Sequence, residues 1–282
     1  GFLLAKYSAD YDVYIGVRYS FLGCTLLAFV IWWFLFFWQR NKPQDVGLAP
    51  IVDLEQQEDR SVNASVEEQI TFRQYLDLLF NPIVLLMGGC YFCVKFLRYA
   101  LDSWLPTFLD LQGMGVDQAA YYSSISDWAG LAGAILAGIA LDRLFKGRWE
   151  NLCLLMGIGT ALGYIAVVKF GANPYALAWL CGFVGFMLYG PDTLLCGAGA
   201  VVVAGERNAV AVAGIVNGMG SIGPVVQEQV IGRLMNGRTP EESVYMASTL
   251  GLSISILAVM FMVCIAVWAT VIRRKNQTAT RK

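Results

Sequence analysis

The 282-residue chain contains no histidine. Without imidazole, a serine–histidine catalytic unit or a tetrahedral zinc site is hard to assemble. The sequence therefore argues against an enzyme and implies no cofactor and no metal. Charge is also scarce: Asp, Glu, Lys and Arg make up 15% of the residues, and the formal net charge is −1. The few charges fall in short gaps between apolar runs and form no basic face, so nucleic acid is excluded as the expected partner. The pattern of a secretory signal, a basic segment followed by a short apolar core and a small-residue cleavage site, is not visible either.

Apolar residues are what the chain has in abundance. They reach 57%, with a mean hydropathy of +0.56, against roughly 45–50% in soluble domains. Crossing a hydrocarbon core takes about 20 apolar residues. Runs of that length occupy 17–38, 83–104, 119–141, 151–169, 174–203, 208–234 and 244–272. The predicted fold class is an all-α polytopic membrane protein with about seven transmembrane helices. Residues 1–38 read as the tail of one span plus a complete span, 39–82 as a charged cytosolic linker, 83–272 as a compact six-span domain, and 273–282 as a basic cytosolic tail. The first residue is Gly rather than Met, and the chain is expected to be a fragment of a longer protein.

Lys and Arg cluster on one set of gaps: Arg40, Lys42, Arg60 and Arg73, then Arg143, Lys146 and Arg148, then Arg207, then Arg273, Arg274 and Lys275. The positive-inside rule places the linker, the 142–150 gap and the C-terminus in the cytosol, where the sequons at Asn63 and Asn276 stay unmodified. All seven cysteines fall within predicted spans, and Cys90 and Cys93, with no second pair, read as packing residues. Small residues recur every four positions at Gly130, Ala134 and Gly138, at Gly159 and Gly163, and at Gly214 and Gly218. This spacing predicts close helix–helix faces.

The stretch VKFLRYALDSWLP, residues 94–106, puts Lys95, Arg98 and Asp102 inside an apolar run, where each charge costs a few kcal/mol or more in hydrocarbon. At about 100° per residue, Lys95, Arg98, Tyr99 and Asp102 share one helix face. Two readings stand. Asp102, four residues after Arg98, could neutralise it in a buried pair; or the leftover Lys95 makes the site net positive and fit for an anion, with Arg98 supplying a fork that matches phosphate or carboxylate. In the sixth run, Asn217, Ser221, Pro224 and Glu228 stack on one side, and Pro224 is expected to bend the helix. Glu228 is read as a partner for Lys95 or Arg98, a proton carrier, or an uninvolved surface group.

The gap GIALDRLFKGR, with Gly138, Asp142, Arg143 and Lys146, resembles the conserved loop between the second and third helices of each half of major facilitator transporters. NKPQDVGLAPI, FLRYALDSWLPTFL and GFMLYGPDTL resemble segments of one family within that group, the organophosphate:phosphate antiporters. The resemblance covers most of the chain and implies that 83–272 is the C-terminal half, with 17–38 as the sixth helix. It further implies exchange of an organic phosphate for inorganic phosphate by alternating access. Arg98 matches the phosphate-binding arginine of the seventh helix and Tyr189 a site-lining tyrosine of the tenth. The partner arginine belongs to the first helix, in the N-terminal six-helix half that is the expected partner. Lys95 and Ser221 stand where glycerol-3-phosphate transporters carry tyrosines, a more polar pair that favours a sugar phosphate such as a hexose phosphate. A transport-inactive sugar-phosphate sensor and a truncated, non-transporting membrane protein are the alternatives. The expected substrate-binding residues are Arg98, Lys95, Tyr99, Tyr189, Asn217 and Ser221, with Asp102 and Glu228 as charge partners and Gly138, Asp142, Arg143 and Lys146 as the conformational loop.

Overall fold

The computed structural model describes residues 13–40, 46–47 and 71–279, which form nine helices and no strand. The Asn63 sequon, Lys42, Arg60 and most of the expected linker lie outside the described residues. Residues 1–69 and 70–282 are two separate compact units. In the first, helix α1 (Val13–Trp38) has mean hydropathy 2.1 over Phe21–Trp38, and its side chains in that window are all exposed. Its aromatic rings ladder along the helix, Phe29 on Trp32 at 5.8 Å and Trp32 on Phe36 at 5.5 Å. A helix that is apolar all round belongs in a bilayer or a larger core.

The second unit contains α2 (Phe72–Leu79), α3 (Pro82–Leu111), α4 (Val116–Arg143), α5 (Trp149–Phe170), α6 (Pro174–Cys196), α7 (Ala198–Gly220), α8 (Ile222–Met235) and α9 (Pro240–Ala279). Seven helical stretches among the described residues are long and apolar enough to cross a membrane, and they coincide with the seven expected runs. The short helix α2 stands at the end of the stretch read as linker, its first turn closed by Thr71 N donating to Gln74 Oε1 at 2.9 Å.

Local chemistry marks the ends. Asn81 and Asn173 accept from the backbone N–H groups of Ile83 and Tyr175, at 3.1 and 2.9 Å, and each is followed by proline at the first helical position. Between α4 and α5, Lys146 and Gly147 take φ of 49° and 76°, while the N–H groups of Phe145 and Gly147 return to the carbonyls of Ala140 and Leu141. α7 holds two pieces that meet at Gly205 (φ 72°, ψ 165°). α7 passes into α8 at Ser221, whose φ and ψ of −69° and −12° stay helical, three residues before Pro224, where a bend was expected. Pro224 has no N–H for the carbonyl of Gly220, and its ring crowds that carbonyl.

α3 is the central element, packed by α4, α6, α7, α8 and α9, and α6 packs against α4, α5 and α7 as well. Glycines let these helices touch, although two of the three expected stripes are displaced. On α4 the buried set is Ser126, Gly130, Gly133 and Ala137, not the Gly130–Ala134–Gly138 row, because alternating three and four residues tracks a 3.6-residue turn better than a strict four. A Cβ on Gly133 would overlap the carbonyl oxygen of Phe186, whereas one on Gly138 would meet nothing within 4 Å. Gly214 and Gly218 likewise face open space, and the close approaches on that span come from Gly220, against Tyr91, and Gly223, against the backbone of Phe92 and Phe96. Gly159 and Gly163 do pack, against Met187 and Val184. The cysteines are free thiols, with Cys90, Cys93, Cys153 and Cys181 buried.

Candidate anion-binding site

Lys95 and Arg98 sit one turn apart near the middle of α3, and the structure gives them different partners. The ammonium of Lys95, 8% exposed, donates to Asn217 Oδ1 at 2.7 Å and Ser221 Oγ at 3.0 Å. Ser221 Oγ in turn donates to the carbonyl of Asn217 at 2.8 Å. Tyr91 adds its ring face, 5.1 Å from the ammonium. None of these partners is anionic, so the charge of Lys95 is hydrogen-bonded but not neutralised.

Arg98 is half-buried among acids and rings. Its Nη1 donates to Asp192 Oδ2 at 2.5 Å, a charge-assisted contact across α3 and α6. Asp102, expected to be its partner, is further off, with Nε to Oδ2 at 4.0 Å. The guanidinium lies 4.4 Å from the ring centre of Tyr189 and 5.9 Å from that of Tyr99, within cation–π range. The Tyr189 hydroxyl donates to Asp127 Oδ1 at 3.4 Å, and its ring fills the space that the missing side chain of Gly130 leaves on α4.

The structure thus brings Lys95 together with Asn217 and Ser221, and Arg98 with Tyr99, Tyr189 and Asp102. It does not bring in Glu228, which is exposed on α8 and pairs with neither cation; its neighbour Gln227 is the buried residue, with both amide atoms lacking a partner. Asp142, Arg143 and Lys146 are exposed and form no ion pair with one another. At that end of the bundle the described ion pair is instead Glu150 on α5 with Arg273 on α9, at 2.6 Å.

Two carboxylates at the site, Asp192 and Asp127, escape a reading of α3 alone, and they change its charge balance. Against Lys95 and Arg98 stand Asp102, Asp127 and Asp192, so the described cluster is not net positive. Asp102, Asp127, Tyr99, Asn217 and Ser221 are all exposed, which leaves the cluster open on one side. A groove of about 960 Å³ elsewhere, between the ends of α3 and α5 and the start of α9, is lined by Gln112, Lys169, Glu241 and Glu242 and does not include these residues.

Residues 2–227 match the Major Facilitator Superfamily. Among curated proteins, the chain is 26% identical over 230 residues to the glycerol-3-phosphate transporter of Bacillus subtilis, covering 79% of this chain and 51% of that protein. It is 28% identical over 208 residues to membrane sensor protein UhpC of Salmonella typhimurium (69% and 45%) and 27% identical over 261 residues to sugar phosphate exchanger 3 of Bos taurus (82% and 52%). The chain spans about half the length of the curated relatives it matches. With seven apolar helices among its described residues, the chain is an integral multi-pass membrane protein that belongs to the major facilitator superfamily.

Proposed function

We propose that this chain supplies one half of a secondary transporter that exchanges an organic phosphate, a sugar phosphate such as a hexose phosphate, for inorganic phosphate by alternating access. The observation that carries this reading is the pair of cations on α3: Lys95, whose hydrogen-bond partners are all neutral, and Arg98, whose guanidinium lies within cation–π range of Tyr99 and Tyr189 and is paired with Asp192. Inside a bilayer such groups are retained for a charged ligand or pathway. The names of the relatives, a glycerol-3-phosphate transporter and a sugar phosphate exchanger, supply the class of ligand.

The open side of the cluster is where the N-terminal six-helix half would close the site and add its own cation. Lys95 and Arg98 would hold the phosphate, with Tyr99, Tyr189, Asn217 and Ser221 lining the rest of the substrate site. The ends of the bundle that carry Lys146 and Arg273 face the cytosol on this reading. Counterflow in liposomes loaded with inorganic phosphate tests it. Exchange against a panel of sugar and triose phosphates by the parent protein, lost in Arg98→Ala, is the expected result. Sugar phosphate binding without any exchange would favour a sensor, a class to which one relative belongs by name.

A further inference from the structure

Arg98 cannot offer its fork to a phosphate while Asp192 holds it. Asp192 is 7% exposed, and while one of its oxygens pairs with Arg98, the other, Oδ1, is buried and makes no well-formed hydrogen bond, with the Tyr91 hydroxyl as its polar neighbour. The charged and titratable groups in electrostatic range of this pair are Tyr91 and Asp102 on α3 and Tyr189 and Cys196 on α6, with Lys95 on α3 and Asp127 on α4 in range of those neighbours. Lys95 is already committed to Asn217 and Ser221. A carboxylate displaced from Arg98 would therefore be left in a buried position facing Asp102 and the incoming anion, with Lys95 engaged elsewhere. Leaving a buried charge unpaired is among the costliest arrangements a protein can make, and such a group neutralises instead.

We propose, resting on the phosphate-binding reading above, that Asp192 is a built-in competitor for Arg98, and that phosphate binding displaces it and protonates it. Its carboxylate takes up one proton from the aqueous side of the open site, becoming a neutral carboxylic acid, while Arg98 transfers its hydrogen bond from Asp192 Oδ2 to the phosphate. The neutral acid no longer carries a charge that must be paired, and its O–H has the Tyr91 hydroxyl within reach as a polar neighbour. Each phosphate bound is accompanied by one proton, and release of phosphate returns the proton and re-forms the Arg98–Asp192 pair. Asp192 is a positioning residue here: it acts on the ligand through Arg98.

The experiment is infrared difference spectroscopy with phosphate titration on the parent protein, both halves present, in nanodiscs, using inorganic phosphate as the probe at several alkaline pH values where phosphate is the dianion. The wild type is expected to bind phosphate, to lose affinity by about tenfold per pH unit, and to gain the carbonyl stretch of a protonated carboxylic acid on binding. Asp192→Asn is expected to bind at least tenfold tighter at the highest pH and to show no such band. If Asp192→Asn does not fold, Asp102→Asn and Asp127→Asn provide the assignment, because the band persists in both. Phosphate binding by the wild type without the band overturns the proposal and leaves the phosphate reading standing. No phosphate binding at all overturns the reading on which it rests. A band that vanishes in Asp127→Asn or Asp102→Asn, but not in Asp192→Asn, assigns the proton elsewhere and overturns it too.

Discussion

The Glu150–Arg273 pair offers a direct test of how this bundle is held at one end. Glu150 is 1% exposed and its carboxylate meets Arg273 at 2.6 Å, while its second oxygen, like the indole N–H of the adjacent Trp149, has no partner. At that distance the Coulomb attraction is about 1.6 kcal/mol in water and about 6 kcal/mol at an effective dielectric near 20; part of it offsets the desolvation of Glu150. The guanidinium of Arg273 is 40% exposed, so it keeps part of its hydration. Truncation of one member of a buried pair costs roughly 3–5 kcal/mol, and this exposure places Arg273→Ala near the lower end, about 3 kcal/mol. Glu150→Gln should cost less, because the amide oxygen still accepts from Arg273 without a buried charge. The double variant should recover about half of the loss, since no carboxylate is then stranded. Reversible unfolding in mixed detergent micelles, followed by circular dichroism, measures all three. An Arg273→Ala cost within about 1 kcal/mol of zero, or a double variant no more stable than Arg273→Ala, would refute the reasoning.

Gly133→Ala should destabilise the bundle by several kcal/mol, because its Cβ lands on the Phe186 carbonyl, whereas Gly138→Ala should be neutral or mildly stabilising, and thermal melting distinguishes the two. Lys95→Gln should weaken phosphate binding at least tenfold, while Ser221→Ala should weaken it only a few-fold, since Asn217 still holds the ammonium; isothermal titration checks the order. For orientation, a membrane-impermeant maleimide should label Thr239→Cys in intact cells and Lys146→Cys only after permeabilisation, and the reverse pattern would invert the topology.

The spans were legible because hydropathy is a property of the run itself. Each expected segment coincides with a helix, although α3 continues from residue 104 to Leu111. Lys95, Arg98, Asn217 and Ser221 were legible as polar faces on two separate helices. That they touch depends on how α3 and α7 cross, which no single helix encodes. Asp192 was missed for a different reason: it is the one charged residue of GFMLYGPDTL, and although Tyr189 lies one turn before it, nothing in that segment shows that this face meets Arg98 on α3. Charge arithmetic confined to α3 therefore found two cations against one acid, while the fold adds two more acids from α4 and α6. Gly138 and Gly214 were misread because a four-residue spacing marks where a helix could be approached, and only the partner decides where it is.

The contact of Gly133 with the Phe186 carbonyl has a mechanical consequence. Where a backbone rests on a backbone with no side chain between, α4 and α6 have no compressible layer in which to slide. Together with Gly185, whose Cα side abuts the carbonyl of Ser126, this makes the two helices a single plank, carrying Asp127 on one board and Tyr189 and Asp192 on the other. A motion that separated Asp127 from Tyr189 and Asp192 would have to part these backbone contacts, so the three residues are expected to move together.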